Sequence, residues 1–175
     1  MQVVRVWPGK TFGGIYLAHY ESGSTLAYSE LIVFSALVRA GGKIGGWVSR
    51  IYVDSAESLA GGREIWGLPK ELAVFKWDRE RITVLQGETT LASANSKSGN
   101  TSFPIRANLP AFGFKNGQVL HFSGSCRGRI SRARAHWNIP PESPLSELGL
   151  GLGWAFHLSE IDVSVPAPQH IILRS

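Results

Sequence analysis

The sequence predicts a mainly β, β-rich α+β protein with one short helix, and two observations support this fold class. The 175 residues include 20 glycines, 9 prolines and 6 tryptophans, a composition that favours strands and turns. Apolar and polar residues alternate over short stretches that end at glycine or proline. The length suits one domain with a sizeable core, so we expect residues 1–175 to form a single domain.

Strand patterns follow one another in the first third of the chain. We predict strands over Val3–Trp7, Phe12–Tyr20, Tyr28–Arg39 and Gly46–Asp54. The third is the most apolar run, and its β-branched residues favour a buried strand over a helix. A hairpin bracketed by Gly41-Gly42 and Gly45-Gly46 joins it to the fourth. Glu30 therefore lies near the start of a buried strand.

A helix is predicted immediately after these strands. Asp54-Ser55 can cap a short helix over Ala56–Ala60, which Gly61-Gly62 weakens. The Gly67-Leu68-Pro69 segment ends it, because the residue before a proline is pushed out of the α region. Lys70 then falls in the first residues of a new strand.

The rest of the chain predicts further strands separated by loops. Two strands between Ala73 and Ala94 flank a turn at Asp78–Arg81, and a mobile Ser/Asn/Gly loop follows at Ser93–Asn100. Further strand candidates are Phe103–Ile105, Val119–Arg134 and Leu158–Val165. Gly149–Gly153 (GLGLG) is predicted to be a loop, because it lacks the strand–turn–helix context of a dinucleotide fingerprint.

Charge and motif content argue against a nucleic-acid partner. The net charge is +5, and the arginines bunch at Arg127, Arg129, Arg132 and Arg134. In an extended segment the first two face away from the last two, and no nucleic-acid-binding motif accompanies them. A solvated face or a subunit contact is the simpler interpretation.

Cysteine use and hydropathy indicate a cytoplasmic protein without a membrane span. The single cysteine, Cys126, excludes an internal disulfide and fits a reducing compartment. The sequence has no zinc-ligand spacing, so neither a metal nor another cofactor is expected. No apolar run approaches 18 residues, and the N-terminal residues do not resemble a signal peptide.

Lys70 is the one lysine whose neighbours suggest chemistry. It follows Ile65, Trp66, Leu68 and Pro69 and precedes Leu72, Ala73, Val74 and Phe75. An ammonium flanked by this much apolar bulk either turns outward to water or is desolvated, and desolvation disfavours the charged form. A desolvated lysine is a candidate nucleophile.

Three segments carry a resemblance to the acetoacetate decarboxylase superfamily. They are Tyr28-Ser29-Glu30, Arg50-Ile51-Tyr52-Val53-Asp54 and Gly62-Arg63-Glu64-Ile65-Trp66-Gly67-Leu68-Pro69-Lys70. The chain resembles the superfamily in order over about Ile15–Phe75 and more loosely afterwards. The resemblance implies a closed or cone-like antiparallel β-barrel, homo-oligomers, a Schiff-base lysine at Lys70 and an acid/base glutamate at Glu30.

Two departures from the pattern concern activation and substrate binding. The decarboxylases carry a second lysine after the nucleophile, where this chain has Glu71, so only desolvation is left to activate Lys70. We expect no counterpart here to the N-terminal segment that brings an arginine to the substrate in the decarboxylases. Arg5 or Arg50 could clamp a carboxylate instead, although Arg50 could also pair with Asp54 or Glu30.

The expected substrate-binding residues are Arg50, Tyr52, His19, Leu68 and Arg63. Structural roles stay open for several of these residues: Arg63 could hold the helix, and His19 and Tyr52 could be core residues. Lys70 and Glu30 could likewise be a structural lysine and a buried, arginine-paired carboxylate.

Two functions are compatible with these residues and with the resemblance. The first is a Schiff-base lyase acting on a small 2- or 3-oxo acid, with decarboxylation or related aldol or dehydration chemistry. The second is a non-catalytic barrel that binds a small apolar metabolite in the same pocket. The discriminating observation is whether Lys70 and Glu30 converge.

Overall fold

The computed structural model describes residues 1–79, 81–148 and 153–171, and it is mostly β. Its strands are β1 (Gln2–Val3), β2 (Gly14–Tyr20), β3 (Tyr28–Ala40), β4 (Lys43–Val53), β5 (Lys70–Leu72), β6 (Val74–Asp78), β7 (Arg81–Gln86), β8 (Thr89–Lys115), β9 (Gln118–Asn138), β10 (Ala155–Ser164) and β11 (Gln169–Ile171). One helix, α1, spans Ala56–Trp66, and a 3-10 turn spans Ser146–Leu148. The predicted class, mainly β with one helix before the lysine strand, is confirmed.

The chain forms two compact units. The first comprises Met1–Leu72, Asn108–Ser125 and Ser164–Ser175, and the second comprises Ala73–Ala107 and Cys126–Val163. The first unit holds β1 to β5, α1 and β11, whereas the second holds β6, β7 and most of β10. The long strands β8 and β9 contribute residues to both.

Strand pairing in the first unit is mainly antiparallel. β3 pairs antiparallel with β1, β2 and β4, and β11 pairs antiparallel with β9. Two pairings differ from the expected antiparallel pattern, because β5 and the end of β8 run parallel to β4. Among the described residues, the main path of paired strands ends at β1 and β6, so closure into a barrel is not confirmed.

The core of the first unit lies between the β3–β4 hairpin and α1. Its buried cluster consists of Val48, Ile51, Val53, Ala111 and Phe122. Leu59 and Trp66 of α1 pack against this cluster. Their burial stabilises the helix through tertiary contacts, which short helices need in water.

Helix α1 is longer than predicted because it continues through Gly61-Gly62 to Trp66. Tertiary packing overrides the low helix propensity of the two glycines. The helix ends at Gly67, whose φ of 62° lies in the left-handed region, and the backbone N–H groups of Gly67 and Leu68 both donate to the Gly62 carbonyl. Because the helix ends in this way, the chain continues through Leu68 and Pro69 directly into β5.

The N-terminus of α1 supports one stability prediction. Ser55 is the N-cap, and its hydroxyl accepts a hydrogen bond from the Ser58 backbone N–H at 3.0 Å. Ser55→Ala should lower the free energy of unfolding by about 1 kcal/mol, because a helix-terminal N–H loses its partner. Urea denaturation measures this change, and Ser55→Asp should retain most of the stability. Equal stability of the wild type and Ser55→Ala would contradict the assignment.

Several predicted boundaries need correction. The first strand covers only Gln2–Val3, because Trp7 instead forms an isolated bridge with Lys10. The segment Ser93–Asn100 is not a loop but part of β8, and its first three residues pair with β7. The first predicted hairpin turns at Gly41-Gly42 alone, since Gly45 and Gly46 are paired strand residues. The predicted Gly149–Gly153 loop lies, except for Gly153, outside the described residues.

The described part of the chain contains no helix with the length and apolar character needed to span a bilayer. Cys126 is a free, buried thiol in β9. Burial, followed by the nearby Asp162 carboxylate, raises the pKa of this thiol.

Candidate functional site: a buried lysine–glutamate pair

Lys70 is the first residue of β5, and two contacts fix its backbone. Its register partner across the parallel pairing is Ile51 of β4, a fully buried core residue. The Arg63 side chain donates from Nε to the Lys70 carbonyl at 2.8 Å. Arg63 therefore ties α1 to the strand that carries the lysine.

The Lys70 side chain lies along one face of α1. Ser58 and Gly62 are four residues apart, so they occupy the same face of the helix. The stem of Lys70 fills the space beside Gly62, where a Cβ atom would come within 2.6 Å of the lysine Cε. Beyond it, Nζ donates to the Ser58 hydroxyl at 2.8 Å.

Glu30 is the charged partner of Lys70. The lysine Nζ lies 2.8 Å from Glu30 Oε1, and the two side chains are only 7% and 6% exposed. Nζ also lies 5.3 Å from the centre of the Tyr28 ring, where a cation is attracted by the aromatic face. The predicted convergence of Lys70 and Glu30 is therefore present in the fold.

Two tyrosines hold the other carboxylate oxygen. Tyr20 and Tyr28 donate to Glu30 Oε2 at 3.4 Å and 3.5 Å. They sit opposite each other in the β2–β3 register, and their rings lie 4.9 Å apart. The Tyr20 hydroxyl is also hydrogen-bonded with Tyr16. Glu30 is thus oriented by groups on three strands.

Burial keeps both tyrosine hydroxyls protonated. Burial first, and the Glu30 charge second, raise the pKa of Tyr28 to about 12. The same two causes raise the pKa of Tyr20 well above its ordinary value. Both phenols therefore act as hydrogen-bond donors to Glu30 at neutral and moderately alkaline pH.

This shift predicts alkaline destabilisation. Because the folded-state pKa of Tyr28 is about 12 against an ordinary 10, its contribution to stability is complete below pH 10 and is lost as pH rises to 12. We expect the free energy of unfolding to fall over this window, and to fall less in Tyr28→Phe. Denaturant titrations at several alkaline pH values measure the difference. Parallel pH curves for the two proteins would contradict this account.

The structure does not bring His19, Arg50 and Tyr52 to the Lys70–Glu30 pair. Residues paired directly across strands share one face of the sheet, and successive residues alternate between faces. Glu30 pairs with Val53, and Lys70 with Ile51, so the site uses the face of residues 51 and 53. Arg50 and Tyr52 lie on the opposite face, which corrects their expected placement beside the site.

The contacts of His19, Arg50 and Tyr52 agree with their position on the sheet face opposite Glu30. His19 pairs with Ser29 and contacts its hydroxyl at 3.1 Å, on the face opposite Glu30. The Arg50 guanidinium opposes the rise of the Tyr52 pKa, and among the described residues Arg50 forms no ion pair with Glu30 or Asp54, the two carboxylates that the sequence suggested. Asp54 instead accepts from the Ser29 backbone N–H at 2.6 Å. Burial is the main cause that raises the pKa of Tyr52.

Leu68 and Arg63 lie close in sequence to Lys70, but they line a cavity that does not include the Lys70–Glu30 pair. Both line a cavity of about 360 Å³ together with Trp47, Val48, Ser49, Gly67, Pro69, Gly113 and Phe114. Neither Lys70 nor Glu30 lines this cavity. Glu71 pairs in register with Tyr52 and so points away from Lys70, as the strand period predicted.

The described side chains do not assemble a metal site. Within residues 1–79, 81–148 and 153–171, histidine, cysteine and carboxylate side chains form no group of three that could hold a metal ion. The groups that converge at the site are an amine, a carboxylate and hydroxyl groups.

Comparison with known proteins decides the family. The family model described as Acetoacetate decarboxylase (ADC) matches residues 4–133, which include Glu30, Lys70 and the whole of α1. This chain belongs to the acetoacetate decarboxylase family. The resemblance inferred from three sequence segments is thereby confirmed.

Curated relatives of this acetoacetate decarboxylase family member fall in two groups. Protein NEOXANTHIN-DEFICIENT 1 of Solanum lycopersicum is 35% identical over 77 residues, which cover 44% of this chain and 25% of that protein. Acetoacetate decarboxylase 1 of Bradyrhizobium diazoefficiens is 50% identical over 36 residues, or 21% of this chain and 14% of that protein. The matched segments span a quarter or less of these two relatives.

Solved structures share the fold over most of the family member's length. Acetoacetate decarboxylase from Legionella pneumophila aligns with a TM-score of 0.62 at 19% identity, covering 84% of this chain and 68% of that chain. The enduracididine biosynthesis enzyme MppR, complexed with pyruvate, aligns with a TM-score of 0.57 at 9% identity, covering 86% and 66%. At these identities the likeness concerns the fold.

Three contact residues were not among the predicted site residues. Tyr20 and Tyr28 could have been found from the alternation of β2 and β3, which puts them on the face of Glu30. The signal for Ser58 was weaker. Ser58 and Gly62 share a helix face because they are four residues apart, but the predicted helix ended before Gly62. Only the fold brings that helical face to Lys70.

Proposed function

We propose that this protein is a Schiff-base-forming lyase that acts on a small 2- or 3-oxo acid, with Lys70 as the nucleophile and Glu30 as the acid/base. The observation that carries the proposal is the buried contact of 2.8 Å between Lys70 Nζ and Glu30 Oε1. Membership of a family of decarboxylases supports it. Such a pair places a nucleophile and its proton acceptor within hydrogen-bond reach.

The first half of the reaction forms the imine. Lys70 transfers a proton to Glu30, and its free amine attacks the carbonyl carbon of the oxo acid. The resulting carbinolamine loses its hydroxyl as water, with a proton supplied from Glu30, and leaves a protonated imine. At the end of this half, Glu30 is a carboxylate again and the nitrogen of Lys70 carries the positive charge of the imine.

The second half uses the imine as an electron sink. In a 3-oxo acid, the bond to the carboxylate breaks, CO₂ leaves, and the electron pair forms a neutral enamine. Glu30, a carboxylate again after the loss of water, takes up one proton from solvent and delivers it to the carbon that lost CO₂, which regenerates the imine. Water hydrolyses that imine, releasing the ketone and Lys70. With a 2-oxo acid, the Glu30 carboxylate would instead remove a proton from the carbon next to the imine, and the resulting enamine would enter aldol or dehydration chemistry.

Arg63 and Leu68 have positioning roles in this proposal. Arg63 holds the Lys70 carbonyl through Nε, and Leu68 packs against the core next to Pro69. Arg5 is exposed in an irregular segment, and Arg50 lies on the opposite sheet face. None of these three arginines is therefore assigned as a carboxylate clamp.

Binding of a small apolar metabolite is the second candidate function. It is favoured by the cavity of about 360 Å³ beside Arg63 and Leu68, which includes Trp47, Val48 and Phe114 but not the Lys70–Glu30 pair. Pockets of this volume accommodate small ligands. A binder would use this cavity and would not need Lys70 as a nucleophile.

Assembly, location and domain organisation complete the proposal. Exposed apolar side chains in both units, including Trp7, Phe114, Trp77 and Phe156, suit contacts between copies in a homo-oligomer. The single free thiol suits the cytoplasm. In this proposal residues 1–175 are one family domain.

Proton NMR in deuterated water tests the proposed function. The protein should exchange the methyl protons of pyruvate for deuterium, or convert acetoacetate to acetone and CO₂. Lys70→Ala and Glu30→Gln should lose both activities. Wild-type rates no higher than those of Lys70→Ala would reject the lyase, and saturable binding without turnover would favour the metabolite binder.

A further inference from the structure

The cavity beside Leu68 lies within the first compact unit and is bounded by three of its parts. β4 forms one wall, the chain between α1 and β5 forms a second, and the end of β8 forms a third. Its volume of about 360 Å³ falls in the range of small-ligand sites. Apart from Ser49 and Arg63, the lining residues are apolar or glycine, so the cavity combines apolar walls with one charged side chain.

Backbone contacts hold these walls together. The Phe114 N–H donates to the Gly67 carbonyl at 2.8 Å, and β4 pairs in parallel with β8 next to this point. Gly113 lies so close to the end of α1 that a Cβ atom there would collide with the Trp66 carbonyl. The cavity is therefore a fixed part of the fold, and a ligand does not have to open it.

Arg63 is the charged residue of the lining. Its Nε donates to the Lys70 carbonyl at 2.8 Å, which leaves the two terminal nitrogens of the guanidinium. Neither of the ion pairs within the described part of the chain includes Arg63. Arg63 is exposed whereas Val48 is buried, so the charge lies toward solvent and an apolar wall lies deeper. The terminal nitrogens can therefore pair end-on with a carboxylate from solution.

Both backbone polar groups of Lys70 are held by residues that line this cavity. The Lys70 N–H donates to the Leu68 carbonyl at 2.9 Å, and the Lys70 carbonyl accepts from Arg63 Nε at 2.8 Å. Between them, the Pro69 carbonyl accepts from the Ile51 N–H at 3.4 Å, which ties the same turn to β4. A ligand that packs against Leu68 and pairs with Arg63 thus restrains the backbone that carries the lysine.

We propose that this cavity is a second ligand site, which binds a small monocarboxylate with an apolar body and thereby restrains Lys70. The carboxylate pairs with the terminal nitrogens of Arg63, which leaves Nε on the Lys70 carbonyl, and the apolar body lies against Leu68 and Phe114. This inference goes beyond the proposed lyase and does not depend on it. It differs from binding of an apolar metabolite because the ligand must carry a negative charge.

Calorimetric titration with phenylacetate and with its neutral analogue phenylacetamide tests the binding step. The wild type should bind phenylacetate about tenfold more tightly, because a hydrogen bond between charged groups contributes more than one to a neutral group. Neither probe has a ketone, so neither can form an imine with Lys70. Equal affinities for the two probes, or no binding of phenylacetate, would overturn the proposal.

Three variants locate the bound probe. Arg63→Gln should weaken phenylacetate about tenfold and leave phenylacetamide nearly unchanged. Arg39→Gln is the matched control, since Arg39 is exposed on β3 and does not line the cavity. Phe114→Ala is an independent variant that should weaken both probes, because it removes part of an apolar wall. Equal losses of phenylacetate affinity in Arg63→Gln and Arg39→Gln would contradict a specific site, and circular dichroism checks that each variant is folded.

Hydrogen exchange of the Lys70 backbone N–H, followed by NMR, tests the restraint. Saturating phenylacetate should slow this exchange by about fivefold or more, because the ligand stabilises the turn whose Leu68 carbonyl accepts the bond. The Val4 N–H, which donates to the Leu37 carbonyl away from the cavity, should exchange at an unchanged rate. Unchanged exchange at Lys70, or the same slowing in Arg63→Gln, would overturn the restraint.

These measurements separate the inference from the proposed function. A wild-type protein that shows no borohydride trapping of an imine with pyruvate would fail as a lyase, yet calorimetry and exchange would still decide the cavity site. Conversely, a protein that traps the imine but neither binds phenylacetate nor slows Lys70 exchange would keep the lyase and lose this site.

Discussion

Glu30→Gln is expected to remove activity and to destabilise the fold at the same time. The amide keeps the shape of the side chain but cannot accept the proton from Lys70, so turnover should fall by about 10²–10⁴-fold. It also leaves the Lys70 ammonium, 7% exposed, without its counter-charge. Breaking one partner of a buried ion pair costs about 3–5 kcal/mol, which urea denaturation would measure.

A surface ion pair of nearly the same length gives the control. Lys115 Nζ and Glu64 Oε2 are 2.7 Å apart, but the glutamate side chain is 76% exposed. Glu64→Gln should therefore change stability little, because water screens the pair. Replacing both buried partners, in Glu30→Gln with Lys70→Met, should recover most of the stability lost in Glu30→Gln alone. Comparable effects of Glu30→Gln and Glu64→Gln would contradict this account of burial.

Gly62→Ala is the second variant with a large expected effect. A methyl group at this position would lie against Cδ and Cε of Lys70, so the lysine stem would have to shift. Nζ would then leave its contacts with Glu30 and Ser58. Misplacement of a catalytic group by about 1 Å can cost 10²-fold, and we expect trapping and turnover to fall at least that far.

Gly61→Ala is its matched control in the same helix. No atom lies within 4 Å of a Cβ at Gly61, and alanine is the better helix former. It should leave activity intact and raise stability slightly. Circular dichroism and turnover assays on the pair separate a local effect on Lys70 from a general effect on α1. Equal activity of the two variants would show that the lysine tolerates the methyl group.

These contacts explain why part of the site could be predicted from the sequence. In the motif that runs from Gly62 to Lys70, the glycine makes room for the lysine stem and Arg63 binds the lysine carbonyl. Pro69 comes two residues after Gly67, whose left-handed backbone conformation ends the helix. The motif therefore encodes one local unit of helix, turn and strand. This is why the sequence alone could place Lys70 at the start of the strand that follows the helix.

Contacts between distant segments were harder to predict. The faces of β2, β3 and β4 follow from strand alternation, but their mutual register decides that His19 and Arg50 lie away from Glu30. A polar composition suggested a loop at Ser93–Asn100, whereas these residues lie within the long strand β8. Ser58 gains its contact with Lys70 only because α1 packs on the core.

The most direct measurement of the central claim is peptide mapping after borohydride reduction with pyruvate or acetoacetate. The proposed mechanism predicts one stable adduct, on the peptide that contains Lys70, in the wild type and in Gly61→Ala. The adduct should be absent from Lys70→Ala and strongly reduced in Glu30→Gln. An unmodified Lys70 peptide in the wild type, or equal labelling of the protein in Lys70→Ala, would contradict the claim.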